Sequence, residues 1–243
     1  MRRGLGLMWV VAAVAGLSAP AGATDVSGPL IGDVTWGPAG NPWVITGDVV
    51  VPEGVTLTVA AGAVVRFAAD DDQDRGTGRT ELVIEGGLVI EGEAGNPAVF
   101  TATSLAPARG AWEGVTVAPE GSVLATHAVI EYAQRGLELQ AGTPIALLDH
   151  VRVTQSNQEQ IRAGAGATLD LTDCVIHDGR SDGLQLAEGT YGLANVRIHG
   201  NGAYGIEATL NDPASTLVAD RLTVNRNGSY GVYVVRGNAR TVV

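Results

Sequence analysis

The segment DDDQDRGTGRTE, Asp70 to Glu81, has the residue types of a calcium loop. Asp70, Asp72 and Asp74 stand at positions 1, 3 and 5, and Glu81 stands at position 12. Hard carboxylate oxygens at this spacing on a tight turn suit Ca2+. Two features depart from the pattern. Arg75 holds position 6, where the sharp bend calls for glycine, and strand-like apolar runs flank the loop in place of helices. The same residues therefore also read as an acidic, solvated insertion between structural units. Either Ca2+ binds at these four carboxylates or the chain needs no cofactor there.

A second group of polar residues recurs at a regular interval. Glu131, Thr154, His177, His199 and Asn225 form one series. Arg152, Val175, Arg197 and Thr223 form another, and His127, His150, Asp173, Asn195 and Arg221 a third. If the interval is one structural repeat, each series becomes a ladder on an outward strand face, because stacked strands lie about 4.8 Å apart. Arg152, Asp173, His177, Arg197, His199 and Asn225 would then make a polar shelf suited to an extended polysaccharide. Ordinary solvent-facing decoration gives the same pattern.

Catalysis is harder to assemble from these residues. A polysaccharide lyase needs a base and a cation to stabilise an enolate-like intermediate. Lysine is absent from the whole sequence, which leaves Arg152 and Arg197 as the well-placed basic groups. A hydrolase needs a carboxylate pair at a defined separation. Asp173, Asp178 and Asp182 cluster, but in turn-like sequence. The expectation is a non-catalytic binding or structural module, with a lyase or glycoside hydrolase as the alternative.

The elements that must position these residues follow from the repeat itself. The last apolar residue before each turn is Ile130, Val153, Ile176, Ile198 and Val224, at offsets of 23, 23, 22 and 26 residues. Six or seven residues later comes Gly136, Gln160, Gly183, Gly205 or Gly231, each followed by Leu, Ile or Val. Ala128, Val151, Cys174, Val196 and Leu222 form a second apolar column two residues before the first. Alternation with period 2 is the mark of a half-buried strand. One copy cannot bury its apolar face alone, whereas stacked copies can. Cys174 thus reads as a small buried hydrophobe, and Asn201 and Asn227 as amides bonded from coil to coil.

Two solenoids have this period. LANVRIHGN fits the leucine-rich signature L-x-x-L-x-L-x-x-N. That architecture then needs a helical or 3-10 return, but GAYGIEA and GSYGVYV are glycine-punctuated and carry no 3.6-residue periodicity. A parallel β-helix accounts for both halves of the repeat, so the expected class is all-β.

Composition bounds the rest. Arg2 and Arg3, the apolar run Leu5 to Leu17 and the small-residue site Ala21-Gly22-Ala23 read as a signal peptide over 1–23. A lead-in segment over 24–45 and a β-helix over 46–243 follow. The expected location is secreted, periplasmic or at the cell surface, with no membrane span after signal removal. The net charge of -11, without basic clusters, argues against nucleic acid as a partner and leaves polysaccharide or other surface proteins. The closing residues RTVV read as an unfinished coil, either truncated or covered by another chain.

In its first half the sequence resembles the right-handed parallel β-helix proteins of bacterial envelopes and secretomes, which have a pectin-lyase-like fold. The residues that carry this are WVITGDVVVPEGVTLTVAAGAVVRF (43–67), LVIEGGLVIEGEAGNPAVFTA (82–102), GAWEGV (110–115) and HAVIEYA (127–133). These segments resemble the family's opening coils and the later repeats its carboxy-terminal coils, so the resemblance covers most of the mature chain. It implies a fold more than an activity, because this fold hosts lyases, hydrolases, adhesins and structural proteins. The family's pectinase-type motifs, Asn-Thr-Asp, Asp-Asp, Gly-His-Gly and Arg-Ile-Lys, do not occur in the repeats.

Overall fold

Each repeat folds into one coil with three short sides. A representative coil runs along Ile145–Asp149, bends at His150, continues along Arg152–Thr154, turns, and closes along Ile161–Ala163. The next coil opens at Ala167–Thr172 directly above Ile145–Asp149, paired in parallel. The computed structural model describes residues 22–71 and 78–236. They form a right-handed parallel β-solenoid of about nine coils of roughly 23 residues.

The first face is an eight-stranded sheet running from Val34–Trp36 to Thr216–Asp220. The second face holds Arg152–Thr154 and its equivalents, and the third holds Ile161–Ala163 and its equivalents. The long strand Trp43–Val51 belongs to both of these faces. Its first residues pair with Val64–Phe67 and its last with Glu81–Ile84, which merges the two faces into one 16-stranded sheet. Thr24–Pro29 also pairs with Trp43–Val51, so the lead-in residues already take part in the solenoid.

Register follows the sequence columns. Ile130, Val153, Ile176, Ile198 and Val224 are successive partners on the second face. The first four are buried, and Val224 packs on the core from the last described coil. The glycine-punctuated returns are strands, Ile206–Thr209 and Val232–Val235, which disposes of the leucine-rich architecture.

The glycine column is explained by close approach. A Cβ at Gly183 would stand 2.5 Å from the Ile198 side chain and 2.6 Å from the Gly205 carbonyl oxygen. Gly136 and Gly205 face equivalent collisions with Val153 and Val224. Gln160 is the exception, and its fully buried side chain finds partners in its own coil and in the next. Its Oε1 accepts from Ser156 Oγ at 2.6 Å and its Nε2 donates to the His177 carbonyl at 2.5 Å.

Asn201 and Asn227 stack as expected. Asn201 Nδ2 donates to Asn227 Oδ1 at 3.1 Å, and Asn201 Oδ1 accepts from Gly179 N at 3.0 Å. These bonds satisfy a buried amide that would otherwise weigh against folding. Cys174 lies in the core, and burial pushes its thiol up to about 11, so it stays a thiol at neutral pH.

The bend between the first and second faces corrects one expectation. His127, His150, Asp173, Asn195 and Arg221 have φ between 45° and 54°. They occupy the corner before each strand rather than an outward strand face. Asn, Asp and His tolerate this left-handed region better than most residues. A second corner, after the strand, holds Asp178 at φ 55° and Gly200 at φ 68°.

Residues 1–21, where a signal peptide is expected, lie outside the described residues, as do Asp72, Asp74 and the closing RTVV. Among the described residues no helix is long and apolar enough to cross a membrane.

Candidate functional site

The second face presents the predicted shelf. Arg152, Val175, Arg197 and Thr223 are register partners in one row, and Thr154, His177, His199 and Asn225 are partners in the other. Both rows point outward because Val153, Ile176 and Ile198, between them, point into the core. Arg152 and Arg197 are exposed, and neither makes an ion pair with another described residue.

The histidine row is more enclosed. His177 and His199 stack with ring centroids 5.0 Å apart and planes 22° from parallel. His177 Nδ1 lies 2.9 Å from Asp178 Oδ2 and 3.4 Å from Thr154 Oγ1. Burial, and after it the neighbouring His177, hold His199 below the ordinary histidine range, partly offset by Asp178. Asp173 stands beside this row at its corner, accepting a hydrogen bond from Asn195 Nδ2. The six predicted shelf residues are therefore brought together, five on the strand face and Asp173 at its edge.

Sequence reasoning found the third-face strands by their alternation but missed their outward residues as a ladder. Thr116, Glu138, Arg162, Gln185, Glu207 and Tyr233 form its outward ladder. The signal was available, since the last five of these residues stand two positions after Gly136, Gln160, Gly183, Gly205 and Gly231. Arg135 and Arg162 both reach Glu138, at 3.1 and 3.0 Å, and Arg135 also reaches Glu159 at 3.0 Å. This network neutralises its own charge. Past Glu207 the ladder reaches a tyrosine stack, with Tyr204 5.3 Å from Tyr233 and 6.0 Å from Tyr230.

Of the predicted calcium ligands, Glu81 lies on this third face and Asp70 on the exposed loop before it. The described loop ends are drawn together by Asp71 N donating to the Gly78 carbonyl at 3.4 Å. Glu81 is not a free loop carboxylate. Its own N–H donates to Asp48 Oδ1 at 3.0 Å, and Thr116 Oγ1 lies 3.5 Å from its carboxylate. Burial, then the charges of Asp48 and Glu113, push its carboxyl up to about 7. Such a group can hold a proton near neutral pH or give it up to a cation.

The surface hollows are open and shallow. One of about 330 Å³ lies along Pro97, His127, His150 and Arg152, and another of about 290 Å³ along Arg162, Gln185 and Glu207.

Comparison with known families agrees with this geometry. Residues 113–243 match the model described as right handed beta helix region, and residues 28–137 match that of the pectate-lyase like beta helix domain. No curated protein and no solved structure matches the chain. Coil geometry and matched sequence point the same way: the chain belongs to the right-handed β-helix family.

Proposed function

We propose that this chain is an exported, non-catalytic module that holds an extended acidic polysaccharide along its second face. The observation that carries this reading is the register of Arg152 and Arg197. They stand two coils apart in one outward row, without ion pairs among the described residues, beside a row of hydroxyl, imidazole and amide groups. Guanidinium groups at a fixed spacing match carboxylates repeated along a sugar chain. The binding is expected to be salt-dependent, as for any exposed charge pairing.

Calorimetric titration with a panel of acidic polysaccharides tests it. Arg197→Ala is expected to weaken binding about 10-fold or more, the loss of one charge-assisted contact. Unchanged affinity in that variant defeats the assignment. Unsaturated product lost with Arg197→Ala establishes a lyase instead. Reducing ends lost with Glu81→Gln establish a hydrolase that uses the carboxyl group held near neutral pH.

The same proposal places Ca2+ at Asp70, Asp72, Asp74 and Glu81, supported by the crowding of Glu81 with Asp48 and Glu113. Millimolar Ca2+ is expected to raise the melting temperature by about 2–4 °C, the shift for roughly 1 kcal/mol of linkage. Asp72→Ala should abolish that rise; an equal rise in the variant removes the loop from consideration.

A further inference from the structure

We propose that His177, Asp178 and His199 form a binding site for a divalent ion of the Zn2+ class. This inference does not rest on the polysaccharide reading, because it concerns the ion alone.

Parallel pairing supplies the geometry. His177 and His199 are direct register partners on neighbouring strands, so both imidazoles leave the same face in the same direction. Asp178 follows His177 at a left-handed corner, and its N–H donates to the His199 carbonyl at 3.1 Å. That bond ties the carboxylate to the coil that carries the second imidazole. The coil above makes room for it, since a Cβ at Gly200 would stand 2.3 Å from Asp178 Oδ1. The ligand atoms of all three side chains lie within 4.8 Å of one another. Zn–N bonds of about 2.0–2.1 Å need the nitrogens closer still, which rotation about side-chain torsions supplies.

Ligand chemistry selects the ion. Two imidazoles and one carboxylate are the three-ligand set of open zinc sites, with a remaining position toward solvent. Imidazole nitrogen favours Zn2+, Cu2+ and Ni2+ over Ca2+ and Mg2+, so this site and the acidic loop draw on different ions. Thr154 Oγ1, 3.4 Å from His177 Nδ1, supplies a neighbouring hydroxyl that can orient the ring. A second cluster, Asp149, His150 and Asp173, offers one imidazole only, and its His150 side chain is 48% exposed against 20% for His177. It is the poorer site, and it provides an internal comparison.

The test uses the protein without saccharide, titrated with ZnCl2 in chelator-free buffer. The chain has 4 histidines, so long-range proton–nitrogen spectra resolve each imidazole. The expected result is saturable binding that shifts His177 and His199 and leaves His127 and His150 in place. His199→Asn is expected to lower the affinity at least about 10-fold, and Asp178→Asn by about 10–100-fold. Shifts at His150 in place of His177 and His199 overturn the assignment, as does the absence of saturable binding. The wild-type spectra decide this even if a variant fails to fold. For folded His199→Asn, shown by an unchanged far-ultraviolet spectrum, undiminished affinity also overturns it.

Discussion

Trp112→Ala is expected to lower the unfolding free energy by about 3–5 kcal/mol, read as a fall in the urea midpoint at unchanged slope. Trp112 is fully buried and stacks on Phe67, with ring centroids 3.7 Å apart and planes 13° from parallel. Its Nε1 donates to the Glu131 carbonyl at 2.9 Å, and its backbone bridges to Ala133 in the next coil. One side chain thus packs within the core and fastens two coils together. Alanine removes the ring, leaves a cavity against Phe67 and deprives the carbonyl of its donor. Trp112→Phe keeps most of the packing and loses the bond, so its expected cost is smaller, about 1–2 kcal/mol. Equal midpoints for wild type and Trp112→Ala would show that the core does not close around this ring.

The second large effect depends on pH. Glu81 has its carboxyl pushed up to about 7 by burial and by Asp48 and Glu113, against 4.5 in an unperturbed carboxyl. Between those values the folded chain binds a proton that the unfolded chain has released, so stability falls as pH rises from about 4.5 to 7. Glu81→Gln removes this penalty. Wild type and variant should therefore match near pH 4, diverge between about 4.5 and 7, and keep the full gap above pH 7, with the variant more stable. A full conversion of the shift would exceed 3 kcal/mol, but Glu81 keeps partial solvent access, so roughly 2 kcal/mol is expected. Denaturation series in EDTA measure this without a bound cation relieving the crowding. A constant gap across the range, or a less stable variant at pH 8, would contradict the assigned environment.

The parts of the structure that repeat were the parts legible in the sequence. Ile130, Val153, Ile176 and Ile198 alternate with mostly polar neighbours, and alternation alone separates inside from outside on a strand. The Asn201–Asn227 contact was legible for the same reason, since equal positions in successive coils must meet. The corners were not. His150 and Asp173 share the coil period with true strand residues, and period carries no information about φ. Only the choice of Asp, Asn and His hinted at a left-handed bend, and Arg221 blurred that hint. Gln160 in a glycine column was also opaque, because its inward turn depends on Ser156 and on the His177 carbonyl in the neighbouring coil. The environment of Glu81 combines residues from coils 33 and 32 positions away, Asp48 and Glu113. Its position 12 in a loop pattern gave no sign that it would lie on a crowded strand face.

The passage of each coil only onto its immediate neighbours has a consequence for how this protein can change. Pairing runs from one strand to the next along every face, and among the described residues no strand reaches past the adjacent coil. Whole turns can then be gained or lost without disturbing the rest, each altering length by a single strand spacing of about 4.8 Å. The molecule behaves as a ruler graduated in coils, and a lineage can adjust the span of its exposed rows by duplication before it alters any one side chain.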